Sequence, residues 1–403
     1  MSEPPAKVDL QRLLKAAVDN GASDIHLKPG QPPVFRVNGA LHQLTRHPDL
    51  TPRDMSAVAR TVMDEHQIEV YRQKHQIDLA YSVAGLGRFR VNVYQQRGTV
   101  AVALRVIPFQ VQTFEELYLP SNLEKIALER RGLVLVTGAT GSGKSTTLAS
   151  LIDYINERRT AHIITIEDPI EFLLRDKKSI ISQREIGFDT DDFIGALRSA
   201  MRQDPDIILV GEMRDLETIR TAMMAAETGH LVLSTLHTTD VMETIHRIMS
   251  FFGSHQQEQV RQQLASIIKA IVCQRLIARS DGKGRVPAVE VMITNARVRD
   301  AIRDQTKTAD IPDIMKQSFS TYGMQSFDMG LLGLVKRKLV TVDEAMEQAS
   351  NPGDFALRLK GIEGADEASY SEYQDDKPKK KSGGGGQDQG GAGFDDLLER
   401  FSE

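Results

Sequence analysis

The sequence is poor in cysteine and in aromatic residues. Its 403 residues include a single cysteine, Cys273, and no tryptophan, and the aromatic fraction is only 5%. A disulfide framework and a four-cysteine zinc module are therefore excluded. The one thiol lies on an apolar stretch of helical pattern and is predicted to be buried. Without a basic stripe that contains interleaved aromatic side chains, no nucleic-acid partner is expected.

Long apolar runs and a strong net charge are also missing. No run approaches the ~18 apolar residues of a membrane span, and residues 1–10 contain no apolar signal-peptide core. The net charge of −5 provides no overall basic field for nucleic acid. We therefore expect a cytoplasmic protein with no direct membrane insertion, unless a partner holds it at a membrane.

Changes of pattern along the chain predict an α/β protein with several segments. Short strands and a helix in residues 1–108 predict a small α+β domain, and strands alternating with helices in 121–365 predict a parallel α/β sheet. Between them, residues 109–120 look like a linker. Residues 366–393 have the composition of a flexible low-complexity tether. Residues 394–403 have the pattern of a short amphipathic peptide, which favours docking to a partner or to the protein's own larger segment over a frayed tail.

Apolar spacing gives a coarse secondary structure for the larger segment. The short runs 162–166, 207–210 and 231–235 predict buried strands. A later set of apolar residues falls on one helical face and predicts a helix; its members are Val260, Leu264, Ile267, Ile268 and Ile271.

The most informative stretch is a phosphate-binding loop. Residues 133–137 form an apolar strand, the pattern G-x-x-x-x-G-K-S follows at 138–145, and residues 146–155 are compatible with a helix. Backbone N–H groups of such a loop point at phosphate oxygens, and the helix adds the positive end of its dipole. Lys144 is expected to reach the β- and γ-phosphates, and Ser145 to hold Mg²⁺. The predicted ATP contacts are Gly138, Thr140, Gly141, Ser142, Gly143, Lys144, Ser145 and Thr146.

Hydrolysis also requires a group that orients or deprotonates water, and three stretches provide candidates. The first, 164–171, places Glu167 and Glu171 at and after a predicted strand end, where ligands bind in parallel sheets. The second, 202–215, is an apolar strand that ends in Gly-Glu, with Glu212 in the manner of a Walker B strand but without its usual Asp. The third, 227–239, brackets a strand with His230 and His237. Either histidine could hydrogen-bond phosphate or a catalytic carboxylate.

Together these blocks resemble the secretion and type IV pilus ATPases, most closely the PilT/PilU twitching-motility branch. The resemblance covers residues 5 to about 360 and rests on GATGSGKST, ITIEDPIEF, RQDPDIILVGEMRD and AAETGHLVLSTLHTTD. It implies a PAS-like N-terminal domain, a RecA-like P-loop ATPase domain and a ring-shaped homohexamer.

The resemblance also implies roles for individual residues. The carboxylates after the second strand correspond to the "Asp box", Glu212 to the Walker B glutamate, and His230 and His237 to the "His box". Arginines of the N-terminal domain approach nucleotide in the family, and the similar positions here are Arg90 and Arg105. The identity of the group that activates water stays open between Glu171 and Glu212.

The direction of the motor is predicted from what the chain lacks. Assembly ATPases of the superfamily carry an extra N-terminal domain and a four-cysteine zinc module, and neither is found here. Retraction is therefore expected, driven by ATP hydrolysis in a hexamer docked on the inner-membrane platform protein at the base of the pilus. Residues 297–304 keep the arginines of a late motif of retraction ATPases but change its Ala, Asn, Leu and Glu. A PilU-like accessory ATPase that modulates a second PilT-family motor is thus the alternative. An assembly or secretion ATPase is a less favoured one.

Overall fold

The computed structural model describes residues 8–361, which form two compact units divided between Phe109 and Gln110. The predicted tether, 366–393, and the amphipathic peptide, 394–403, lie outside the described residues. Within residues 8–361, no helix is both long enough and apolar enough to cross a membrane.

The first unit is a six-stranded antiparallel sheet with three helices. Its strand order is β3-β2-β1-β6-β5-β4. Alternate residues such as Phe89, Val91 and Val93 are buried on one face, as the period of two in a half-buried strand requires. The elements are α1 (Leu10–Asp19), β1 (Ala22–Leu27), β2 (Val34–Val37), β3 (Ala40–Gln43), α2 (Pro52–Val62), α3 (Glu65–Lys74), β4 (Gln76–Val83), β5 (Gly87–Gln96) and β6 (Thr99–Ile107).

The second unit is built on a seven-stranded sheet in the order β13-β12-β7-β11-β10-β8-β9. All neighbouring strands of this sheet run parallel except β12 and β13, which are antiparallel. The mixed α/β class is therefore confirmed. The strands are β7 (Gly132–Thr137), β8 (His162–Glu167), β9 (Ile180–Glu185), β10 (Ile207–Val210), β11 (Leu231–Leu236), β12 (Ile268–Ala278) and β13 (Arg285–Ile293).

Helices cover both faces of this sheet, so its central strands are buried on both sides. Leu133 and Leu135 of β7 pack into one apolar cluster, whereas Val134 and Val136 pack into the other. The helices are α4 (Asn122–Ala127), α5 (Lys144–Arg158), α6 (Phe193–Ala200), α7 (Leu216–Glu227), α8 (Val241–Ser250), α9 (Ser254–Ile267), α10 (Ala296–Arg303), a 3₁₀ turn (Gln305–Asp310), α11 (Ile311–Gln317), α12 (Phe319–Tyr322), α13 (Phe327–Lys336), α14 (Val342–Gln348) and α15 (Pro352–Leu359).

The prediction of a helix that continues through Ile271 is wrong beyond Ile267, where α9 ends. The chain leaves α9 at Ile267 and enters β12 at Ile268, which pairs with β7 on one side and β13 on the other. A short apolar run rich in β-branched residues suits a buried strand as well as a helix, and pairing with two neighbours decides the outcome. Cys273 therefore lies in a strand, and its thiol is buried, as predicted.

Candidate nucleotide site

The predicted catalytic segments meet at one edge of the large sheet. Because β7, β8, β10 and β11 run parallel in register, their carboxyl ends lie side by side. The phosphate-binding loop follows β7, the acidic loop follows β8, Gly211-Glu212 follows β10 and His237 follows β11. This is the edge at which open α/β sheets bind their ligands.

The backbone of the phosphate-binding loop can form only with glycine at two of its positions. Gly138 has φ +148°, and a Cβ there would lie 2.3 Å from the Gln274 carbonyl oxygen on β12. Gly143 caps α5 with φ +92°, and its Cβ would lie 3.0 Å from Gln274 Nε2. The loop therefore packs closely against β12, and a side chain at position 138 would force the loop and the strand apart.

The start of α5 presents unused amides to this edge. The first intrahelical bond runs from the Thr147 N–H to the Gly143 carbonyl at 3.0 Å. The amides of Lys144, Ser145 and Thr146 precede it, and such first-turn N–H groups are available to an anion. The loop and helix start thus have the geometry of a phosphate cradle.

Lys144 is buried at this position, with 9% of its surface exposed. Its Nζ donates to the carbonyl oxygens of Gly138 at 2.9 Å and Ala139 at 3.0 Å. Burial lowers the pKa of Lys144, and the negative charges of Glu212 and Glu171 act in the opposite direction. Both candidate catalytic carboxylates are therefore within electrostatic range of the lysine.

Glu212 lies at the centre of a charged cluster. Its Oε1 is 3.2 Å from His237 Nε2, and its Oε2 is 2.8 Å from Arg214 Nε. Arg214 also reaches Asp168, with Nη1 3.9 Å from Oδ2. The Glu212 side chain is only 18% exposed, whereas that of His237 is 42% exposed. The carboxylate is thus held from both sides and keeps a fixed orientation.

The acidic loop after β8 contains two carboxylates in different settings. The Glu167 carboxylate accepts hydrogen bonds from Thr165 Oγ1 at 2.6 Å and Gln183 Nε2 at 3.1 Å. Burial raises the pKa of Glu167, although these donors oppose the rise. Glu171 is exposed. Glu167 is therefore held by hydrogen bonds from side chains of β8 and β9, whereas Glu171 is accessible to solvent.

The structure does not bring His230 to this edge. His230 precedes β11, and its backbone carbonyl accepts from the N–H of Gly132, the first residue of β7. Its Nδ1 lies 2.9 Å from the Ala225 carbonyl oxygen. A six-residue parallel strand separates it from His237, which amounts to about 20 Å at 3.3 Å per residue.

Two residues at the site were not predicted. Gln274 is buried, and its Oε1 accepts from Thr147 Oγ1 of α5 at 2.9 Å, so it supports the phosphate-binding loop from β12. No sequence motif marks it, because its place depends on the strand order. Arg214, by contrast, is part of the conspicuous 202–215 stretch and could have been chosen from its position beside Glu212.

Arg90 and Arg105 lie opposite each other on β5 and β6 of the first unit. Arg105 Nε is 2.8 Å from Asp24 Oδ1, and Arg90 Nη2 is 4.0 Å from Asp78 Oδ1. Both side chains are more than two-fifths exposed, at 68% for Arg105 and 47% for Arg90. They therefore present two exposed positive charges side by side on one sheet.

The described residues contain no group of three or more His, Cys, Asp or Glu side chains able to hold a metal ion by themselves. Mg²⁺ in phosphoryl-transfer sites keeps several waters and takes ligands from the phosphates, with one or two from protein. A half-buried Ser145 hydroxyl in the first turn of α5 suits that arrangement. The residues present fit a cation that arrives as part of the nucleotide complex.

Comparisons with known proteins agree with this geometry. The family model described as "Type II/IV secretion system protein" matches residues 2–346. The type IV pilus "retractation ATPase PilT" of Pseudomonas aeruginosa is 44% identical over 348 residues, covering 86% of this chain and 100% of that protein. The type IV pilus ATPase PilU of the same organism is 40% identical over 353 residues, covering 88% of this chain and 92% of that protein.

A solved structure extends the likeness to three dimensions. The crystal structure of the pilus retraction motor PilT with bound ADP superposes with a TM-score of 0.78 at 47% identity. The match covers 86% of this chain and 99% of that one. The likeness therefore includes both units and is not confined to the nucleotide site.

Proposed function

Since the chain belongs to the type II/IV secretion system protein family, we propose that it is a motor ATPase that hydrolyses ATP to power retraction of type IV pili. One observation carries the proposal. The carboxylate of Glu212, held by His237 and Arg214, lies within electrostatic range of a buried loop lysine in a chain that is 44% identical to the whole of a pilus retraction ATPase.

The geometry divides the work of hydrolysis among a few side chains. Lys144 and the first amides of α5 bind the phosphates, and Ser145 contributes its hydroxyl to the Mg²⁺ of the MgATP substrate. Glu212 orients the attacking water and takes its proton. His237 and Arg214 keep that carboxylate in place, and positive charge near the γ-phosphate stabilises the transition state.

We assign the principal water-activating role to Glu212 because its orientation is fixed on two sides. Glu171 is exposed on a loop and has no comparable support, but its charge also reaches Lys144. It is assigned an auxiliary role in binding or in proton removal. Glu167 supports the loop through its bonds to Thr165 and Gln183.

The proposed machine is a ring-shaped homohexamer. In it, Arg90 and Arg105 would supply positive charge to nucleotide, some of it across subunit boundaries, and their exposure on one sheet supports this role. Contacts of the γ-phosphate would shift one unit against another as rigid bodies. The ring would act on the inner-membrane platform protein, and the protein would work in the cytoplasm at the base of the pilus.

An accessory ATPase is the second candidate, and one observation favours it. The identity to PilU, 40% over 88% of the chain, is close to the identity to PilT. The late segment that differs from the retraction motif forms α10, where Arg297 Nη1 donates to Gln317 Oε1 at 2.8 Å. In this reading the ring stacks on a PilT motor and modulates it.

The deciding experiment is a count of surface pili in cells that lack the protein, with plasmids restoring either the wild type or Glu212→Gln. Excess, non-retracting pili that only the wild type corrects would support the main retraction motor. A normal count with retraction weakened under load would favour the accessory ATPase. Bald cells would overturn the retraction direction and indicate an assembly ATPase.

A further inference from the structure

The position of His237 is fixed by two neighbouring elements. It follows β11 directly, and the chain enters α8 at Val241 only four residues later. The intervening Thr238 is buried, and its hydroxyl lies 2.7 Å from that of Thr244 in the first turn of α8. Any displacement of the start of α8 is therefore transmitted to His237 and to its contact with Glu212.

The start of α8 is held from outside the segment by Glu290 of β13. The N–H of Val241, the first residue of the helix, donates to Glu290 Oε2 at 2.9 Å. Asp240 caps the same helix locally by accepting from the Glu243 N–H at 2.8 Å. Asp240 belongs to the segment and moves with it, whereas Glu290 is 49 residues away and anchors the helix to the sheet.

The surroundings of Glu290 are costly for a carboxyl group. It lies opposite Cys273 in the β12–β13 pairing, and Cys273 is in turn paired with Thr137 at the end of β7. Burial raises the pKa of Glu290 to about 7. The nearby charge of Asp240 acts in the same direction, and that of Arg275 opposes it. A carboxyl group in this position is compensated by the hydrogen bond that it accepts from the Val241 N–H.

We propose that Glu290 is a positioning residue: by accepting the Val241 N–H it fixes the first turn of α8, and through it His237 against Glu212. The inference rests on the proposed hydrolytic role of Glu212 and His237. It assigns to β13, outside every recognised motif of the chain, a part in holding the catalytic cluster.

The test removes either partner of the bond in the full-length protein. Glu290→Leu removes the acceptor. Val241→Pro removes the donor at the first helical position, where proline is well tolerated. Glu290→Gln keeps an acceptor. Gln325→Leu is the matched control, because Gln325 is a buried amide whose side chain donates to the carbonyl of Val289 on the same strand at 2.7 Å and not to the start of α8.

Three readouts separate positioning from general damage. We expect kcat for ATP to fall by ~10-fold or more in Glu290→Leu and Val241→Pro, since a displacement of about 1 Å can cost up to ~10². KM should change less than about threefold, because the phosphate-binding loop is not altered. The double variant should be no slower than either single one, and Glu290→Gln should keep nearly full activity.

The third readout does not depend on turnover. Diethylpyrocarbonate modifies free imidazoles, and peptide mass spectrometry can follow His237 with His230 as internal reference. Faster modification of His237 in the two disrupting variants, with His230 and the control unchanged, would support the proposal. Equal kcat and equal modification rates in wild type and Glu290→Leu would overturn it, as would equal losses in Glu290→Leu and Gln325→Leu. A wild type that does not hydrolyse ATP would instead refute the proposed function, and the modification rates would still test the positioning.

Discussion

The variant Glu212→Gln tests the proposed chemistry most directly. The substitution keeps the shape of the side chain and removes its charge and basicity. The amide can still face His237 and Arg214, so the cluster stays close to its present geometry. We expect kcat to fall by ~10² or more, the size expected for loss of a general base, which corresponds to about 2.7 kcal/mol of transition-state stabilisation.

The structure indicates that this loss will not come from unfolding. Arg214 is 61% exposed, and ion pairs with such an exposed partner contribute about 1 kcal/mol or less. For a domain of about 150–250 residues, a loss of that magnitude lowers Tm by only about 2–4 °C, and the shift is smaller in a longer chain. Nucleotide affinity should also stay within about threefold, because Lys144 and the loop amides are unchanged.

The assay combines steady-state ATP turnover, binding of a fluorescent ATP analogue and a thermal melt. Glu217→Gln is the matched control, since Glu217 lies five residues on, at the start of α7, with 66% of its side chain exposed. Turnover should be nearly normal in the control. Wild-type turnover in Glu212→Gln would refute the assignment and transfer the role of base to Glu171.

Three further predictions concern the loop and β13. Lys144→Ala should abolish detectable binding of the fluorescent nucleotide, and near-wild-type affinity would show that the loop assignment is wrong. Gly138→Ala should cost about 1–3 kcal/mol of stability and weaken binding by ~10-fold or more, because its Cβ would meet the Gln274 carbonyl oxygen at 2.3 Å. Gly333→Ala is the control in the same melts, because a Cβ on this helical glycine of α13 would meet nothing within 4 Å. Burial raises the pKa of Glu290 from 4.5 to about 7, so the native protein binds the extra proton and loses stability as pH rises through that range. Glu290→Gln should therefore gain on the order of 1–3 kcal/mol over wild type between pH 5 and 8 in urea unfolding, and parallel pH curves would contradict the shift.

The phosphate-binding loop could be predicted from sequence because its parts are contiguous. Strand, glycines, lysine and helix follow one another in residues 133–155, and each local preference agrees with the final structure. The strands β8, β10 and β11 were found for a similar reason: short β-branched runs have few other stable environments than a buried parallel sheet.

The remaining features depend on strand order, which the sequence does not state. β12 lies beside β7 although 130 residues separate Ile268 from Gly138 along the chain, and only that neighbourhood brings Gln274 under the loop. Ile268 and Ile271 fit a helical period of 3.6 although they belong to β12, because a strand covered on both faces buries consecutive residues, here Ala270, Ile271 and Val272. The family resemblance pairs His230 with His237, but the two bracket β11 and therefore lie at opposite ends of that strand.

The packing of β12 under the loop has a mechanical consequence. Gln274 contacts the phosphate-binding loop, and the next residue, Arg275, donates to the carbonyl of Gln348 in α14 at 2.9 Å and stacks 4.0 Å from the ring centre of Phe327 in α13. A force on α13 or α14 therefore acts on Arg275, the residue next to Gln274, which contacts the nucleotide site. Force applied to α13 or α14 and nucleotide binding in the loop are thus coupled through β12, because both act on adjacent residues of that strand.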